Sequence, residues 1–152
     1  MHTLRLFLRR LSLALATIMF LAPGVSLADI TIAVVGGMSG PFEKIGQEFQ
    51  QGTRGAVHAI NEAGGLLGQK VKFIFRDDHC KADEARAIAA EFVQLEVNMV
   101  MGHLCSDASI AASVVYENAG LIAISPSSTN PELTERGLNF TFRVTGRDDM
   151  QG

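Results

Sequence analysis

Short apolar runs that end on glycine or aspartate alternate in this chain with longer stretches of helical spacing, and that alternation leaves few folds open. Ile30–Val35 is a β-branched run stopped by Gly36-Gly37, as suits a parallel strand buried on both faces. From Glu43 to Ala63, Ile45, Phe49, Ala56, Ile60 and Ala63 recur at steps of 4, 7, 4 and 3, which predicts one apolar helix face. Gly64-Gly65 supplies the stop. Lys70–Arg76 alternates, with Val71, Phe73 and Phe75 on one side, and ends at Asp77-Asp78. Lys81–Leu95 then predicts a helix with Ala85, Ile88, Ala89, Phe92 and Val93 inward. Met99–Met101 reads as a strand closed by Gly102, and Ser106–Ala119 as a helix with Ile110, Val114 and Val115 inward. Leu121–Ile124 is a fourth strand, Glu132–Arg136 a single helical turn, and Phe140–Val144 a fifth strand. The order demands an α/β, Rossmann-like fold with a mainly parallel sheet and right-handed crossovers.

The first 28 residues stand apart. Arg5, Arg9 and Arg10 precede the apolar run Leu11–Leu21, Pro23-Gly24 ends it, and Ser26-Leu27-Ala28 offers small residues at an exit. This is the pattern of a cleaved secretory signal peptide; the run is short for a membrane anchor. The chain carries 13 basic and 16 acidic residues. Residues 1–28 hold three arginines and no acid, which leaves 10 against 16, a net −6. A mature chain so acidic, without a Lys/Arg cluster or an aromatic stacking run, argues against a nucleic-acid partner.

The two cysteines, Cys80 and Cys105, both follow the leader and would mature in an oxidising compartment. A bridge between them would close a loop of about 26 residues, worth roughly 3 kcal/mol in the chain-entropy picture. Two free thiols are one alternative. A zinc site with His79 and His103 is another, although no C-x-x-C spacing supports it.

In open parallel sheets ligands gather beyond the carboxyl ends of the strands. The candidate loops are therefore Gly36–Pro41, Asp77–Cys80, Gly102–Ser106 and Ser125–Thr129. The first lacks both G-x-G-x-x-G and the Gly-Lys-Ser/Thr of a phosphate loop, so no cofactor is expected. Ser106 opens a helix. It is either an N-cap or, with the free N–H groups there, a holder of a carboxylate. The Ser125–Thr129 loop is either an ordinary polar loop or a source of hydroxyls and of carbonyls for an ammonium. A catalytic reading of His103, Ser106 and Asp107 crowds three roles into five residues and lacks a nucleophile elbow. Asp77-Asp78 reads as a capping feature before a metal pair.

Several segments resemble the periplasmic leucine/isoleucine/valine-binding proteins of ABC importers. They are Ile32–Pro41, Asn61–Gly65, Arg76–Cys80, Gly102–Ser106, Ser125–Thr134 and Phe142–Gly146, in order along the whole mature chain. The resemblance implies the N-terminal lobe of a type I periplasmic binding protein, no catalysis, and a membrane permease as partner. It implies a Cys80–Cys105 disulfide. Ser106 is expected to hold an amino-acid carboxylate, Ser127 to offer its carbonyl to the ammonium, and Thr129 to contact the head group. An aromatic common in the family falls at Ile45, which leaves the side-chain preference open. Family members have two lobes, so residues 29–152 correspond to an incomplete first lobe, for which weak binding or none is expected. A remnant of an interrupted gene and a sensory domain of the same fold are the other readings.

Overall fold

A computed structural model describes residues 28–150. The leader expected at 1–28 lies outside the described residues except for Ala28. Five parallel strands form one sheet: β1 (Ile30–Gly36), β2 (Val71–Asp77), β3 (Met99–Met101), β4 (Ala123–Ser125) and β5 (Thr141–Arg143), in the order β2-β1-β3-β4-β5. Helices α1 (Glu43–Glu62), α2 (Ala82–Gln94) and α3 (Ser106–Ala119) connect the first four strands, and a single turn, α4 (Glu132–Glu135), precedes β5. The chain winds outward from β1 to β2, then back past β1 to β3, so the winding reverses at β1. With right-handed crossovers that reversal puts α1 on one face and α2 and α3 on the other.

The core follows those two layers. Ala33, Val35, Val100 and Ala123 meet Ala85, Ala89 and Phe92 of α2 and Ala108, Ala112 and Tyr116 of α3. On the opposite face Ile32, Val34 and Val71 meet Val57, with Phe49, Ile60, Phe73 and Met99 packed around them. Alternation along β1 thus feeds both layers, which explains why it is a continuous apolar run. Among the described residues no helix is long and apolar enough to cross a membrane.

Two helix faces differ from expectation. In α1 the buried residues are Gly46, Thr53 and Val57, with Phe49 and Ile60 partly covered, whereas Ile45 is 55 % exposed and Ala56 and Ala63 are also exposed. The reason is close approach. A Cβ on Gly46 would lie 2.5 Å from the Cα of Met38, so α1 turns its smallest residue to the first loop. Thr53 tolerates burial because its hydroxyl donates to the Phe49 carbonyl at 2.9 Å. In α3 the inward residues are Ala108, Ala111, Ala112, Ser109, Ser113 and Tyr116, while Ile110 and Val115 are only partly buried and Val114 is 48 % exposed. Small residues let α3 sit tight against α2 and the sheet, and the β-branched ones are turned away.

Candidate functional site

All strands are parallel, so their carboxyl ends share one edge. Gly36 is paired with Asp77, Met101 with Ile124, and Ser125 with Arg143. The loops expected to matter therefore lie side by side.

The first two loops are locked by Asp77. Its Oδ1 accepts from the N–H of Met38 and of His79, each at 2.9 Å. Partial burial pushes this carboxyl up. Hydrogen bonds from Ser39, Met38 and His79 outweigh burial and hold it below the ordinary carboxylate range. Its neighbour Asp78 is fully buried and does something else. One oxygen accepts from the Cys80 N–H at 2.8 Å and the other lies 2.5 Å from Nδ1 of His103. Nε2 of His103 lies 2.9 Å from the Tyr116 hydroxyl. Burial, and then the charge of Asp78, push the Tyr116 phenol far above its usual range, so it keeps its proton. That proton has one acceptor within reach, Nε2. Nδ1 of His103 then carries the ring proton and donates it to Asp78, and every polar atom in the row is satisfied. The two aspartates thus brace loops, and among the described residues no cluster could hold a metal ion.

Cys80 and Cys105 are joined as a disulfide, their Cα atoms 5.4 Å apart, within the usual range. The bridge ties the loop after β2 to the loop after β3. It removes the free-thiol and zinc readings together, since His103 is held by Asp78 and Tyr116, and His79 by Glu84 at 2.5 Å. It also removes the catalytic reading. Both ring nitrogens of His103 are occupied, leaving none to act as base toward Ser106.

Ser106, Ser127 and Thr129 are brought to one place. The N-cap of α3 is Cys105, in extended conformation, and Ser106 is the first helical residue, not the cap. Its hydroxyl accepts from the Asn130 N–H at 3.2 Å, which binds the start of α3 to the loop after β4. The Ser127 hydroxyl closes a second link by donating to the Leu104 carbonyl at 2.6 Å. The first N–H groups of α3, those of Ser106, Asp107 and Ala108, have no acceptor among the described residues; the Ser109 N–H is the first to be taken, by Cys105. They point out of the helix start beside the Ser106 hydroxyl, a place that attracts an anion. The Ser127 carbonyl likewise has no donor among the described residues.

Sequence reasoning missed what lies behind these groups. The His103 carbonyl faces three hydroxyls, Ser125 at 2.7 Å, Ser109 at 3.1 Å and Ser128 at 3.3 Å, and Ser109 and Ser128 are themselves 2.7 Å apart. Arg143 at the end of β5 gathers the loop from the other side, donating to the carbonyls of Thr129 and Asn130, each at 3.0 Å. The signal in the sequence for Ser109 was its helical spacing with Ser113 and Tyr116, at i, i+4 and i+7 on one face of α3.

Residues 29–152 match the profile of a family described as periplasmic binding protein. The chain belongs to that family. It is a family of binding proteins, not of enzymes, and membership implies a periplasmic location. As a periplasmic binding protein the chain is 45 % identical over 143 residues to an "amino acid binding protein" of Pseudomonas aeruginosa, a match covering 93 % of this chain and 38 % of that one. It is 43 % identical over 124 residues to the Leu/Ile/Val-binding protein of Escherichia coli K12, covering 82 % of this chain and 34 % of the relative. Among solved structures, the substrate-binding protein LivJ of Streptococcus pneumoniae, with isoleucine, superposes with a TM-score of 0.75 at 33 % identity, covering 80 % of this chain and 35 % of that one. An ABC-transporter substrate-binding protein of Desulfitobacterium hafniense with Leu gives 0.72 at 36 % identity, again over 80 % and 35 %. The chain therefore spans about a third of the length of the relatives it matches. The type I periplasmic-binding fold is shared with those solved structures over 80 % of this chain.

Proposed function

We propose that this chain is part of the substrate-capturing component of an ABC importer for amino acids of the leucine, isoleucine and valine type. Residues 29–152 form most of a first lobe, residues 1–28 are a secretory signal removed on export, and a membrane permease is the downstream partner. The zwitterionic head of the ligand is held between the start of α3 and the loop after β4. The Ser106 hydroxyl and the first N–H groups of α3 take the carboxylate. The Ser127 carbonyl takes the ammonium, and the Thr129 hydroxyl and N–H complete the contact.

One observation carries this reading. Among the described residues, donors without acceptors and an acceptor without a donor lie on loops tied to each other by the Asn130–Ser106 and Ser127–Leu104 bonds. An α-amino acid presents the matching pair, a carboxylate next to an ammonium. The names of the relatives support the ligand class, and the identities of 43 and 45 % support carrying it to this chain.

The test is a titration of the isotope-labelled chain with L-leucine, followed by amide NMR. The amides of Ser106, Asp107, Ala108 and Thr129 are expected to move together. Ser106→Ala is expected to weaken binding by at least ~1 kcal/mol, the scale of a hydrogen bond to a charged group. Binding that leaves those amides in place, or an unaltered affinity in Ser106→Ala, refutes the assignment.

A further inference from the structure

Five successive carbonyls line the loop after β4, from Ser127 to Pro131, and they are not treated alike. Arg143 donates through Nη1 to Ser128 at 3.4 Å, Thr129 at 3.0 Å and Asn130 at 3.0 Å, and through Nη2 to Pro131 at 3.5 Å and to the Thr134 hydroxyl. Backbone N–H groups also reach three of these oxygens: Asp148 to Thr129, Leu133 to Asn130, and Thr134 and Glu135 to Pro131. Ser128 has no such second donor; among the described residues Arg143 is its partner. Ser127 has neither kind of donor among the described residues.

We propose that Arg143 is a positioning residue for the ammonium end of the site, acting by occupying the carbonyls of residues 128–131 so that, of residues 127–131, Ser127 is left with the open one. The inference rests on the amino-acid reading given above. Its physical basis is the fixed fork of the guanidinium, which presents several donors in one plane and can satisfy neighbouring carbonyls at once. Without it, the Ser128 carbonyl has no partner and must turn to find water. Turning the peptide between Ser128 and Thr129 also moves the Thr129 N–H and loosens the Asn130 N–H that reaches Ser106. Arg143 touches neither expected ligand group. It selects which backbone oxygen the loop presents.

The experiment compares the wild type with Arg143→Met and Arg143→Lys, using L-leucine and 4-methylpentanoate, which has the same side chain and carboxylate but no ammonium. Amide exchange is measured at Asn130 and Asp148. Arg143→Met is expected to weaken leucine about tenfold or more and 4-methylpentanoate, through the shifted Thr129 N–H and the loosened Ser106 link, by no more than about threefold. Arg143→Lys, which keeps the charge but not the fork, is expected to fall between. Exchange at Asn130 and Asp148 is expected to speed up while that of Val100 and Gly102 in the sheet stays unchanged. Equal weakening of both ligands marks general damage to the loop and overturns the proposal. If the wild type binds neither ligand, as an incomplete lobe can, the amino-acid reading gains no support from this chain, and exchange alone decides the role of Arg143. Faster exchange at Asn130 in Arg143→Met upholds the loop-holding role of Arg143, and unaltered exchange overturns it.

Discussion

The row Tyr116–His103–Asp78 makes a prediction with a sign that burial alone does not give. All three side chains are buried, with side-chain exposure of 1 % for His103 and 0 % for Asp78. With the phenol keeping its proton, the two contacts at 2.9 and 2.5 Å assign Tyr116 as donor to Nε2 and Nδ1–H as donor to Asp78. Tyr116→Phe removes the donor and leaves Nε2 buried without a partner, a cost of about 1–3 kcal/mol. Asp78→Asn keeps an oxygen for the Cys80 N–H but turns an amide N–H₂ toward His103. The imidazole must then shift its proton to Nε2, accept at Nδ1, and donate to the Tyr116 oxygen. The phenol proton now has no acceptor. Loss of the charged bond and this orphan together cost about 3 kcal/mol, the low end for breaking a buried pair. In that background Tyr116→Phe replaces one unsatisfied group by another and costs about 0–1 kcal/mol more. The two changes should therefore be sub-additive by about 1–2 kcal/mol. Urea unfolding of the four proteins, with the disulfide intact in each, measures this directly. Costs that add to within about 0.5 kcal/mol would refute the proton arrangement, whatever each change costs by itself.

Three further outcomes follow from other parts of the molecule. Replacing Cys80 and Cys105 together by serine, or reducing the wild type, should lower the unfolding free energy by about 3 kcal/mol, read as a shift in urea midpoint; equal stability with and without the bridge would contradict its cross-linking role. Asp77 has a carboxyl held below its ordinary range, so its stabilisation is present above the unfolded value near ~3.9 and lost as pH falls through the folded value. The midpoint gap between wild type and Asp77→Asn should accordingly be constant from neutral pH to about 5 and close as pH falls below the unfolded carboxylate range, and a gap that widens on acidification would be inconsistent with the sign. Val114→Glu on the outer face of α3 should change stability by less than about 0.5 kcal/mol, whereas Ala112→Glu on the inner face of the same helix should prevent folding; comparable thermal midpoints for the two would reverse the assignment of the faces.

The strands were legible because their signal is strong and local. Ile30–Val35 and the alternation Val71, Phe73, Phe75 can be read without knowing any neighbour, and Gly36-Gly37 and Asp77-Asp78 mark where they end. The inward faces of α1 and α3 were not legible by choosing the largest apolar side chains. Where two backbones approach closely, volume excludes bulk, so Gly46, Ala108 and Ala112 mark the contact and Ile45 and Val114 are turned out. A stripe of small residues ending in an aromatic, Ala108, Ala112 and Tyr116 at steps of four, was the readable sign in α3. The strand-end loops were legible from topology, since parallel strands bring their ends together. The supports behind those loops were not. Asp78 and His103 are 25 residues apart, and Arg143 reaches back 15 residues to Ser128, so each looks in the sequence like an isolated polar residue.

The cluster at the His103 carbonyl connects these supports. That oxygen has two lone pairs and three hydroxyls around it. The Ser125 hydroxyl, which accepts from the Ser128 N–H, spends its proton on the carbonyl at 2.7 Å. Ser109 and Ser128 have two protons between them, for the remaining lone pair and for their own 2.7 Å bond. One of them donates to the carbonyl and the other to its neighbour, and both arrangements satisfy the count. The loop after β4 is thereby fixed to the same peptide whose side chain is fixed to Asp78, and through Cys80 and Cys105 to the loop after β2. Three loops from β2, β3 and β4 are thus tied into one bonded network. A head group bound between two of them meets groups set before it arrives, and little of its binding free energy is spent on ordering them. On the proposed reading this rigidity belongs to the part of an amino acid that all amino acids share. The same reading leaves the choice of side chain to other positions, among them Ile45, which is 55 % exposed on α1 just after the first loop.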